Sequence, residues 1–134
     1  MATDEQVQRL IEAAVEARKW AYAPYSNYQV GAALLASSGK VYTGVNIENA
    51  AYPDTTCAER VAIFKAVSEG EKEFEVIAVV TGNGGFPCGS CRQVMAEFGK
   101  ETEVIIANDE GKIITKTRVK ELLPGSFGQE YLKA

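Results

Sequence analysis

The sequence predicts an α/β fold in which a sheet of five strands is covered by helices, within one domain spanning residues 1–134. Three observations predict it. Helical and strand periodicities alternate along the chain in the order αββαβαββα. The strand candidates "FEVIAVVT" and "TEVIIAN" are near-continuous apolar runs, which a covering of helices buries. A chain of 134 residues with 46% hydrophobic content can bury one sizeable core, and no repeat, low-complexity tract or linker divides it.

Each element has its own signal. From Asp4 to Trp20, Val7, Leu10, Ile11, Ala14 and Val15 recur at helical spacing, and Thr3 with Gln6 forms a capping-box pattern ahead of them. After the "YAPYSNY" loop, "QVGAALLA" and "KVYTGVNI" flank an "SSGK" turn as the two strands of a hairpin. The stretch "TTCAERVAIFKAVSEG" opens on threonines suited to an N-cap, runs with helical period and ends at Gly70 as a C-cap. "FEVIAVVT" is the third strand, and "PCGSCRQVMAEFGK" a helix running from a Pro/Gly-marked start to a stop at Gly99. "TEVIIAN" and "GKIITKT" follow as strands around "DEGK", and "RVKELLPGSF" closes with a short helix stopped by Pro124.

Charge narrows the partners. A formal charge of −4 and a pI near 4.9 provide no basic stripe for nucleic acid and no polybasic segment for anionic membranes. The opening "MATDEQVQRL" lacks a signal peptide's basic and apolar regions, and no apolar run approaches the roughly 18 residues of a membrane span. The expectation is a cytoplasmic protein acting on small molecules.

In that compartment thiols stay reduced, so the three cysteines read as metal ligands, a redox pair plus a spare, or buried residues before they read as disulfides. The chain has no histidine. Cys57 opens one predicted helix, and Cys88 and Cys91 open the next. Helix starts offer unpaired N–H groups and a positive dipole end, which favour thiolate. The CxxC alone is equally compatible with zinc, a thioredoxin-like redox pair and coincidence. Cys57-Ala58-Glu59 breaks the tie, because a redox pair has no need of a third helix-start thiol followed two residues later by an acid. Three thiolates without a histidine point to an open zinc site, unless Asp54 or Glu59 fills the fourth position.

Five blocks in order, "YAPYSNYQVGAALL", "GVNIENAAYPDTTCAER", "KAVSEG", "PCGSCRQVMAEF" and "ELLPGSFG", carry a resemblance that spans nearly the whole chain. The chain resembles the small, homotetrameric, three-cysteine cytidine deaminases of the cytidine and deoxycytidylate deaminase superfamily, with "CAE" in place of HxE. Tyr28 stands where the family often has phenylalanine, and Phe86 where it usually has serine, after a shorter loop over residues 82–85. The resemblance implies a three-layer α/β/α arrangement with a mixed sheet, and one Zn2+ per subunit held by Cys57, Cys88 and Cys91. It implies Glu59 as the proton shuttle, and Arg60 as a hydrogen-bond donor to the zinc thiolates.

The same resemblance places Asn46 and Glu48 on the ribose 3'-hydroxyl. It places the base near Tyr28, Ala58 and Phe127, with Phe127 and Tyr52 supplied by neighbouring subunits of a homotetramer with shared sites. The implied reaction is deamination of cytidine and 2'-deoxycytidine to uridine and 2'-deoxyuridine, in pyrimidine salvage. Three rivals are a deaminase of another aminopyrimidine nucleoside (the blasticidin type), a polynucleotide deaminase, against which the charge balance argues, and a thiol redox or structural zinc protein. Arg60 and "NIEN" favour cytidine over the first. Arg92, next to Cys91, is read equally as a partner of the thiolates and as a solvated helix charge.

Overall fold

The computed structural model describes residues 2–133. Helix α1 (Asp4–Arg18) starts on the Thr3/Gln6 capping box and buries Val7, Leu10, Ile11 and Ala14. Strands β1 (Gly31–Ala36) and β2 (Val41–Val45) form the hairpin. A 3-10 turn at Tyr52–Asp54 leads into α2 (Ala58–Ser68), followed by β3 (Phe74–Thr81) and α3 (Gly89–Phe98). Strands β4 (Glu103–Asn108) and β5 (Ile113–Arg118), the short helix α4 (Val119–Leu122) and a 3-10 turn at Gln129–Tyr131 complete the chain.

The element order agrees with the sequence reading, and the boundaries shift where local chemistry wins. Helix α2 is capped by Cys57 and not by the threonines, because Thr56 is engaged in a backbone bridge to Ile47. Its C-cap is Glu69, with Gly70 one residue beyond at φ +93°, the left-handed position that favours glycine. Helix α1 stops at Arg18, two residues before Trp20.

The five strands form one sheet in the order β2-β1-β3-β4-β5. Only β3 and β4 pair in parallel, joined through α3, so the sheet is mixed. Alternation along the buried strands divides the core in two. Ala33, Leu35, Val76, Ala78, Val80, Ile105 and Ala107 meet α1 on one face. Ala32, Leu34, Ile77, Val79, Val104 and Ile106 meet α2, α3 and α4 on the other, giving three layers. Gly44 lets α2 lie directly on β2, since a Cβ there would stand 2.4 Å from the Ala58 carbonyl oxygen and 2.6 Å from the Ala62 nitrogen.

Register then positions the functional segments. Gly31 pairs with Val45 on one side and Val80 on the other, and Thr81 pairs with Asn108. The start of β1 and the ends of β2, β3 and β4 therefore share one edge of the sheet. The segments 24–30, 46–57 and 82–88 all emerge there, at the carboxyl ends of the parallel strands where open α/β sheets form their crevices.

Candidate zinc centre and nucleoside cavity

Cys57 and Cys88 are the N-cap residues of α2 and α3, and Cys91 lies in the first turn of α3. Two helix starts thus bring three sulfurs together. The Sγ atoms of Cys57 and Cys88 are 3.9 Å apart, those of Cys88 and Cys91 3.4 Å, and all three lie within 4.8 Å of one another. Thiolates around a tetrahedral zinc, with bonds of about 2.3 Å, stand about 3.8 Å from each other. The donor set therefore fits one zinc ion per subunit. All three cysteines are free, and Cys91 is fully buried, which suits a ligand better than an exchanging redox thiol.

The surroundings favour negative charge at this point. Arg60 Nη2 donates to Cys57 Sγ at 3.4 Å, and Arg60 Nε is buried without a hydrogen-bond partner among the described residues. A hydrogen bond from the Cys91 thiol, followed by the Arg60 guanidinium, brings the Cys57 thiol down to about 5. Donating that bond, and burial, push the Cys91 thiol up. Three thiolates on a dication leave a net charge of about −1. Arg60 and the starts of two helices offset it. Arg92 is engaged elsewhere, since its Nε donates to the Pro87 carbonyl and its Nη1 to that of Leu122, both at 2.8 Å. It ties the segment before Cys88 to α4, and neither sequence reading of it captures this.

Glu59, in the first turn of α2, is 4% exposed. Burial, with the charge of Cys57 adding to it, pushes its carboxyl up to about 7. A group so placed can take or give a proton near neutral pH.

Glu59, Cys57 and Cys88 line a cavity of about 240 Å³ whose wall also includes Tyr28, Asn46 and Glu48. Asn46 is held from both ends of its amide: Nδ2 donates to the Tyr28 carbonyl at 2.8 Å, and Oδ1 accepts from Val30 N–H at 2.9 Å. Glu48 accepts from the Tyr25 and Ser26 N–H groups at 2.9 and 3.1 Å and from the Ser26 hydroxyl. The Ser26 bond is the main reason its carboxyl lies below the usual range. Both residues line one cavity, as alternate positions of an extended segment can, and both also fix the loop before β1.

Of the remaining predicted contacts, Ala58 is fully buried behind the wall as the first residue of α2, where its N–H has no helical acceptor. Tyr52 and Phe127 lie outside the cavity of their own chain, 74% and 56% exposed, with Phe127 stacked on Tyr131 at 5.5 Å. The sequence reading passes over Val30, Thr55, Val79, Thr81 and Gly85, which also line the cavity. Val79 and Thr81 share a face of β3 by alternation, but the unbroken apolar run hides which face that is.

Residues 4–108 match the family model of the cytidine and deoxycytidylate deaminase zinc-binding region. The chain is 54% identical over 126 residues to a cytidine deaminase of Halalkalibacterium halodurans, covering 92% of this chain and 95% of that one. It is 51% identical over 129 residues to a cytidine deaminase of Sporosarcina psychrophila, covering 94% of each. The crystal structure of the cytidine deaminase from Burkholderia pseudomallei superposes with a TM-score of 0.86 at 47% identity, over 94% of this chain and all of that one.

Proposed function

Because the chain belongs to the cytidine and deoxycytidylate deaminase family of zinc enzymes, we propose that it hydrolyses cytidine and 2'-deoxycytidine to uridine and 2'-deoxyuridine with release of ammonia, as one domain over residues 1–134. The observation that carries this reading is a cluster of three thiols, two of which, Cys57 and Cys88, line with the buried Glu59 carboxyl a cavity that Asn46 and Glu48 also line. Cys57, Cys88 and Cys91 hold the zinc, and the bound ion supplies a Lewis acid that lowers the pKa of a water toward about 7.

Glu59 moves the protons. Its carboxylate accepts one as water oxygen adds to C4 of the pyrimidine, and delivers it to N3, which makes C4 electrophilic. It then carries the second from the new hydroxyl to the amino group. The C4–N bond breaks, ammonia leaves and the C4 carbonyl forms. Asn46 and Glu48 meet the sugar hydroxyls with their remaining hydrogen-bond capacity, and the Ala58 N–H lies toward the pyrimidine O2.

The test pairs metal analysis with loss of cytidine absorbance in ultraviolet light. Stoichiometric zinc with steady conversion to uridine supports the reading. Turnover of blasticidin S but not cytidine points to the other nucleoside class, and zinc without turnover of either points to a structural site.

A cavity of about 240 Å³ falls below the roughly 300–1,000 Å³ usual for small-molecule sites. Neighbouring subunits of a homotetramer in the cytosol supply the missing walls, with Phe127 and Tyr52 as their exposed aromatic contributions. Phe127→Ala is expected to leave zinc content unchanged and raise KM for cytidine by about two- to tenfold, the loss of an aromatic contact of about 0.5–1.5 kcal/mol. A fully active monomer in sedimentation at low concentration would refute the shared site while leaving the zinc chemistry standing.

A further inference from the structure

The segment 82–85 between β3 and the CxxC is tied down by a chain of side-chain hydrogen bonds. Thr81, buried at the end of β3, accepts from the Gly85 N–H at 2.8 Å and donates to Asn83 Oδ1 at 3.3 Å. The same Asn83 oxygen accepts from the Tyr28 hydroxyl at 2.8 Å. Gly85 lies against that hydroxyl: a Cβ there would be 2.3 Å from Tyr28 Oη and 3.6 Å from Tyr28 Cζ. Tyr28, Thr81, Gly85 and the following Phe86 all line the nucleoside cavity.

We propose that the Tyr28 hydroxyl is a positioning group for nucleoside binding: it holds Asn83 and Gly85 so that Phe86 stands as the cavity's outer wall. The inference rests on the nucleoside reading of the cavity given above. A phenylalanine ring at position 28 fills the same volume and lacks the atom that spans the gap to Asn83. Tyr28 and the segment leading to Phe86 are thus parts of one device. The zinc ligands are insulated from it, because Arg92 Nε separately holds the Pro87 carbonyl at 2.8 Å, between the segment and Cys88. Loosening the device costs order at the cavity's rim, so the cost falls on binding and not on the proton transfers.

The distances set an unusual test, since the hydroxyl excludes a methyl group at position 85 whereas a phenylalanine ring leaves it at van der Waals distance. Gly85 does not have a positive φ, so alanine meets no backbone penalty there. Tyr28→Phe is expected to raise KM for cytidine by about three- to tenfold, one net hydrogen bond, with kcat within about twofold and zinc content unchanged. Gly85→Ala should be worse than Tyr28→Phe, and the double variant should return to the level of Tyr28→Phe alone. An unchanged KM in Tyr28→Phe, or a double variant poorer than Gly85→Ala, overturns the proposal. Amide exchange of Gly85 reads the device without substrate. Faster exchange in Tyr28→Phe supports it even if the wild type does not turn over cytidine, and unchanged exchange overturns it even if the wild type does.

Discussion

Glu59→Gln is expected to keep its fold and its zinc and to lose at least about 10² to 10⁴ in turnover, the usual contribution of one positioned proton-transfer group. The loss should lie at or beyond the upper end, because the same carboxyl serves both proton deliveries. Retention of fold follows from the environment. Burial pushes the Glu59 carboxyl up to about 7, well above the usual carboxylate range, so the site accommodates its uncharged form. An amide of nearly the same shape replaces that neutral form without burying a new charge or opening a void. Steady-state kinetics with metal analysis and a thermal melt decide it. A variant that retains near-native deamination shows that Glu59 is not the shuttle. A variant that has lost its zinc shows that Glu59 holds the metal site together, which the sequence allows if the acid fills the fourth position.

Much of this site is legible in the sequence, for a physical reason. Helix starts are marked by local chemistry, so Cys57, Cys88 and Cys91 can be placed at helix N-termini from Pro, Gly and periodicity alone, and that placement brings them together. Asn46 and Glu48 are legible as a pair because alternate residues face one way. The error at the start of α2 arises because both threonines are chemically good caps, and the bridge from Thr56 to Ile47 that occupies the segment is a tertiary contact. Arg92 is misread for the same reason, since its acceptor on Leu122 lies 30 residues away. The network of Tyr28, Thr81 and Asn83 is invisible because its members are up to 55 residues apart and each reads locally as an ordinary loop or strand residue. Phe127 and Tyr52 are exposed and lie outside the cavity of their own chain, so the contacts with the base that the resemblance implies for them are not made within one chain.

Replacement of each cysteine by alanine is the second large effect expected, and the three variants should differ in an informative order. All should lose zinc, since two thiols cannot replace three in a site whose remaining position is kept for water. All should melt lower, because a metal that binds only the folded chain stabilises it, by about 1.4 kcal/mol for each tenfold excess of free metal over its dissociation constant. Cys88 is exposed, so Cys88→Ala removes little besides the metal, and its melting point should equal that of the wild type stripped by a chelator. Cys57→Ala should lie lower, because Arg60 Nη2 loses its acceptor while Nε has no partner among the described residues. Cys91→Ala also opens a void at a fully buried position, which adds a packing cost to the lost metal. A chelator should lower the wild-type melting point and leave those of the three variants unmoved. Full zinc occupancy in all three variants, or a wild-type protein that purifies active without metal, would sink the three-thiolate centre. A variant that loses zinc and keeps the wild-type melting point would show that the fold stands without the ion and that the metal serves the chemistry alone.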